Sequence, residues 1–207
     1  SLIFNATNCS VTNSSFNLSP ISSIIIGNNV EIIPNNFAYG NTLLTSITIP
    51  NGVSTIGNSS FYGCSNLTSI TIPYSVSTIE NSAFYGCNGL REVNIGNNVS
   101  SIGSFAFGGC SSLEKVKCLS TNPATLIDIT VFPYPNNAKL KVPCESVNNY
   151  ISSSLWNILF NNRISDYYSV EAVANNSSYG NVEIENNCET FITTLTAIPN
   201  NCHQFIS

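Results

Sequence analysis

A period of 23 residues runs through the middle of the chain and restricts its fold more than any other feature. Ser46 to Pro50, Ser69 to Pro73 and Glu92 to Gly96 stack in register as strand-like segments. Ile56, Ile79 and Ile102 keep the same step, as do Phe61, Phe84 and Phe107. So do Gly63-Cys64, Gly86-Cys87 and Gly109-Cys110, and then Leu67, Leu90 and Leu113. A fixed period of this size marks a solenoid, because one unit cannot bury its own apolar face and needs a neighbour on each side.

Each unit has a physical reading. The alternation from Leu67 to Ile72 places Leu67, Ile70 and Ile72 inside and the hydroxyls outside, as a short strand requires. Pro73 ends that strand, Val76 and Ile79 turn inward from a connecting stretch, and Ser82 to Gly86 reads as a turn of helix or 3₁₀ stopped by glycine. An earlier unit is looser: it begins at Ile24 to Gly27, has Phe37-Ala38 where the others place the aromatic, and has Asn41 at the Cys position. A later unit runs from Val116 through the proline-rich stretch 123–135 to Pro143 and is one residue longer. The expected fold is an α/β solenoid of right-handed coils with a parallel β-sheet on one face. A terminal helix follows, with Val147, Tyr150, Ile151 and Leu155 on one face and Trp156 covering the last coil.

Composition limits the chemistry. Only 8% of the 207 residues are charged, the net charge is -5, and the polar surface rests on hydroxyls and 32 asparagines. That balance argues against a general nucleic-acid binder, which needs many Lys and Arg. The longest apolar runs, such as Ile24 to Ile26, fall far short of a bilayer span. A targeting segment is expected to have been removed. No catalytic, cofactor or metal site is expected: the lone histidine, His203, has no triad around it, and Asp128, Glu145 and Asp166 are scattered. Cys64, Cys87 and Cys110 should stack as an interior ladder rather than converge on a metal, and Cys118 takes a core register. Among Cys9, Cys144, Cys188 and Cys202 the pairing that spacing suggests is Cys188 with Cys202.

Charge is distributed by segment. Residues 1–90 carry no Lys or Arg, all six bases lie between 91 and 163, and residues 164–207 hold five acids and no base. Register places Thr48, Thr71, Asn94, Lys117 and Lys141 in one outward ladder on the strand face, with Arg91, Lys115 and Lys139 flanking it. Two readings stand: a partner-binding patch, or lysines that keep a flat sheet soluble and block edge pairing. Tyr62 and Tyr85, beside the recurring Phe, lie away from the sheet and suit packing more than recognition. Sequons at Asn5, Asn8, Asn13, Asn58, Asn66 and Asn98 matter only in a eukaryotic secretory pathway.

The motif Leu-x-x-Ile-x-Ile-Pro-x-x-Val-x-x-Ile-x-x-x-Ala-Phe-x-x-Cys resembles the BspA-like leucine-rich repeat family of bacterial and protist surface proteins. The resemblance covers 1–166, with regular repeats over about 22–118 and an irregular last repeat and cap over 119–166. Residues 167–207 resemble a truncated internalin-type B-repeat, a small all-β module. The resemblance implies a non-catalytic, monomeric protein at the cell surface or outside the cell, binding a protein or glycan partner through the exposed sheet. The alternative it leaves is a structural stalk that presents another domain.

Overall fold

The computed structural model describes residues 2–4, 21–134 and 136–166, together with the backbone of 180–187 and 192–199. The chain divides into two compact units, Ser1–Ser165 and Asp166–Ser207. Strands of the first unit, in chain order, are β1 (Leu2–Phe4), β2 (Ile24–Ile26), β3 (Ile32–Ile33), β4 (Thr55–Ile56), β5 (Ser69–Ile72) and β6 (Thr78–Ile79). Then come β7 (Glu92–Ile95), β8 (Ser101–Ile102), β9 (Lys115–Cys118), β10 (Thr125–Leu126), β11 (Lys139–Val142) and β12 (Ile164–Asp166). Helices α1 (Val147–Ser152) and α2 (Ser154–Phe160) lie between the last two. In the second unit β13 (Gly180–Asn187) pairs antiparallel with β14 (Ile192–Pro199).

Each period is one coil with three sides, hydrogen-bonded to its neighbours except at Ser46 to Pro50. The first side is a parallel sheet in the order β12-β11-β9-β7-β5. Its register is the sequence period made spatial: Thr71 opposite Asn94, Asn94 opposite Lys117, and Lys117 opposite Lys141, the last step carrying the extra residue. The second side, which the repeat pattern shows only as a connecting stretch, is a parallel sheet of two-residue strands in the order β10-β8-β6-β4-β3. Its recurring Ile33, Ile56, Ile79 and Ile102 are buried.

The third side is the turn, and here expectation needs correcting. Ser82 to Gly86 is neither helical nor 3₁₀; it is a chain of tight turns with left-handed backbone at both ends, φ 55° at Ser82 and 69° at Gly86. In the sheets an N–H reaches back to the preceding coil, as Gly57 does to the Ile33 carbonyl at 3.0 Å. In the turn it reaches forward: Phe61 to the Ala83 carbonyl at 2.7 Å and Phe84 to the Ala106 carbonyl at 2.7 Å. Backbone groups of a short non-helical turn are thereby satisfied by the neighbouring coil.

Between these sides the core is a set of one-residue columns. Phe61, Phe84, Phe107 and Phe132 stack ring on ring at 5.2 to 5.3 Å. Phe37 begins the column edge-on to Phe61, which accommodates its shifted place in the sequence. The thiols of Cys64, Cys87 and Cys110 are buried, and each reaches a carbonyl of the preceding coil, on Ala38, Phe61 and Phe84, at 3.2 to 3.3 Å. Asn41 holds the Cys position in the first unit because its amide oxygen can accept the Ile21 N–H at 3.0 Å, which a thiol serves poorly.

Two further expectations fail locally. Ser46 to Pro50 keeps the buried and exposed alternation of a strand but pairs with no neighbour, so the strand face is interrupted there. The terminal helix is two helices broken at Ser153, and Ile151 is 45% exposed rather than on the buried face; Tyr150, Trp156, Leu159 and Phe160 fill that role. Cys144 is disulfide-bonded, which its spacing did not suggest; Cys188 and Cys202 lie outside the described residues. The Trp156 indole donates to the Ala124 carbonyl at 2.8 Å, and the Asn136 amide donates to the Leu159 carbonyl at 2.8 Å, joining cap to last coil.

Candidate binding face

The sheet β5-β7-β9-β11-β12 brings the sequence-derived candidates together. Thr71, Asn94, Lys117 and Lys141 stand in one unbroken column because parallel pairing keeps equivalent residues side by side. Ser69, Glu92, Lys115 and Lys139 form the column next to it. Thr48 continues the period but lies within the interruption, and Ile25 and Ile3 extend it on the far side as exposed apolar residues at 51% and 65%. The face is therefore graded: apolar, then hydroxyl, then amide, then basic.

Its electrostatics differ from a row of independent cations. Arg91 is ion-paired with Glu114, and the Lys115 ammonium lies 3.2 Å from the Glu92 carboxylate, both across adjacent coils. Such exposed pairs contribute at most about 1 kcal/mol, so they soften the positive field more than they brace the fold. Arg163, the sixth base, serves the cap instead: its guanidinium donates to the carbonyls of Ala138 at 3.1 Å and Leu159 at 2.9 Å.

The other chemically notable groups are occupied with holding coils together. Asp128 accepts the Ser104 hydroxyl at 2.6 Å and the Thr130 N–H at 2.7 Å, and hydrogen bonds from Ser104 and then Thr130 hold its carboxyl below the usual range. Glu80 accepts both the backbone and side-chain N–H of Asn58. Asn35 and Asn81, a further recurrence at the period, accept the N–H groups of Asn58 and Ser104 at 2.8 Å. Burial pushes the thiols of Cys64, Cys110 and Cys118 up to about 12, so they stay protonated and poorly nucleophilic. No cluster of three or more metal-ligating side chains occurs among the described residues, and His203 lies outside them. No helix among them is long and apolar enough to cross a membrane.

On the turn side Tyr39, Tyr62 and Tyr85 stack at 4.6 and 4.9 Å. Where a fourth tyrosine would stand the chain has Gly108, and Phe105 closes the stack edge-on against Tyr85 at 6.0 Å. Burial, with Tyr39 and Tyr85 beside it, raises the Tyr62 phenol above its ordinary range. Rings that cover one another offer edges rather than faces to a ligand, so this column is a packing device. The repeat pattern did not reveal the interruption at residues 46–50, for it carries the same Ser-Ile-Thr-Ile-Pro as the paired strand that follows.

Residues 33–157 match the BspA type leucine-rich repeat region in six copies. Among solved structures, a leucine-rich repeat protein from Bacteroides ovatus superposes with a TM-score of 0.56 at 28% identity, over 68% of this chain and 36% of that one. The pneumococcal vaccine antigen PcpA superposes with a TM-score of 0.60 at 24% identity, over 82% of this chain and 42% of that one. The chain thus spans well under half the length of either protein. No curated protein matches the sequence significantly.

Proposed function

The chain belongs to the BspA-type leucine-rich repeat family, and from that premise we propose that it is a non-catalytic surface or secreted protein that binds a macromolecular partner through its strand face. The observation that carries this reading is the continuous outward register Thr71, Asn94, Lys117 and Lys141, beside Lys115 and Lys139. A rigid array of this kind loses little conformational entropy on binding, so many weak polar contacts sum usefully. A protein partner suits the graded face better than a glycan, since the columns Ser69 to Lys139 and Thr71 to Lys141 carry no aromatic ring for a sugar to stack on. A disulfide at Cys144 suits an oxidising compartment, and one structural relative is a vaccine antigen.

Charge reversal tests the reading. Lys117→Glu with Lys141→Glu should weaken binding to a panel of matrix and cell-surface proteins by at least about tenfold, roughly 1.4 kcal/mol, with thermal unfolding nearly unchanged. Unaltered binding by the double variant would remove the basic columns from the site. A panel that yields no ligand would favour the stalk, a stack of coils whose role is to set distance.

A further inference from the structure

The strand face opens at one place. Residues 45–49 run alongside β5 with Ile47 and Ile49 inward, yet they pair neither with β2 before them nor with β5 after them. Among the described residues, none of their N–H or carbonyl groups makes a backbone hydrogen bond. The other two sides of the same junction are closed: the Ser77 N–H reaches the Ser54 carbonyl at 2.9 Å, and the Phe61 N–H reaches the Ala83 carbonyl at 2.7 Å. The coils therefore splay on the strand side alone, and a cleft of about 540 Å³ lies there. Ser46 and Thr48 line it with Ser69, Thr71, Tyr74 and Leu119.

The cause is legible once the fold is known. Leu119 donates its N–H to the Ile95 carbonyl at 2.9 Å; Pro73, two coils earlier, has no N–H to give Ile49.

We propose that this cleft takes an extended, uncharged peptide segment of a protein partner, bound by strand addition along the open edge of β5. The proposal rests on the strand-face reading for its location and names the class of partner. Lys115 donates its N–H back to the Arg91 carbonyl at 3.0 Å. In the same register Ser69 and Thr71 turn their N–H and carbonyl groups toward the cleft, and unpaired main-chain groups at strand spacing are what a peptide main chain satisfies. None of the lining residues is charged, so a charged segment would find no countercharge, and Tyr74 and Leu119, 58% and 46% exposed, offer apolar surface to one side chain.

The test uses the whole chain, labelled for amide NMR. In the free protein the amides of Ile47, Ile49, Ser69 and Thr71 should exchange with solvent at least about tenfold faster than those of Val93 and Ile95. The probe is a synthetic peptide with the sequence of residues 67–73, Leu-Thr-Ser-Ile-Thr-Ile-Pro, a strand that already pairs in parallel inside this fold. Its addition to about 1 mM should slow those four amides, and backbone N-methylation at alternate residues should abolish the effect on one set and spare it on the other. Equal protection in the free chain, or no change with peptide, overturns the proposal. Protection that grows with protein concentration without peptide also overturns it and assigns the cleft to a second copy. The Lys117→Glu, Lys141→Glu protein should still bind the peptide, so failure of the basic face and failure of the cleft are read separately.

Discussion

At the scale of single residues, the buried thiols and one buried hydroxyl make opposite contributions. Cys64, Cys110 and Cys118 are held up to about 12 from an ordinary 9.0 by burial. Below pH 9 the thiols are protonated in both folded and unfolded chains, so their stabilisation is fully present. Between pH 9 and 12 only the unfolded chain ionises, so stability falls with rising pH. Urea midpoints measured at pH 7, 9 and 10.5 should decline over the last interval, and a Cys64→Ala, Cys110→Ala protein should decline less steeply. Ser60 is the reverse case: its hydroxyl is fully buried without a partner, at a position where the next two coils carry Ala83 and Ala106. An unsatisfied buried hydroxyl costs about 1–3 kcal/mol, so Ser60→Ala should raise the chemical-unfolding midpoint. The recurrence alone predicted that the cysteines are buried; that Ser60 lacks a partner depends on which carbonyls surround it, which spacing does not encode.

At the scale of elements, stability resides in columns rather than in individual coils. Phe84 lies between Phe61 and Phe107 at 5.2 and 5.3 Å and is fully buried. Truncation in the middle of such a column leaves a hole that neither neighbour can fill without breaking its own stacking. Phe84→Ala should therefore destabilise by about 3–5 kcal/mol, read from equilibrium unfolding, and a loss near zero would mean that the ring does not sit in this column. The strand and aromatic columns were legible because their residues recur at a constant step. The second sheet was not, for a two-residue strand shows only one inward side chain per coil. Nor was the turn, whose left-handed positions fall on Asn36, Ser59, Ser82 and Phe105 and not only on glycine.

At the scale of the whole chain, the stack is stable only as far as each coil is covered. Trp156 covers the last one, packing against Phe132 at 5.6 Å and donating to the Ala124 carbonyl. Trp156→Ala should open that end, and amide exchange should show protection lost first in β11, then in β9, with β7 retained. The sequence by itself determined the period, the inward set, the outward ladder and the gathering of bases towards the cap, because a solenoid translates sequence spacing directly into spatial register. Only the tertiary structure decided which bases are paired, why Asn41 replaces a cysteine, and that identical Ser-Ile-Thr-Ile-Pro segments differ in pairing. Those outcomes depend on contacts between a coil and its particular neighbours, where a missing N–H at Pro73 removes a bond that Leu119 makes two coils later.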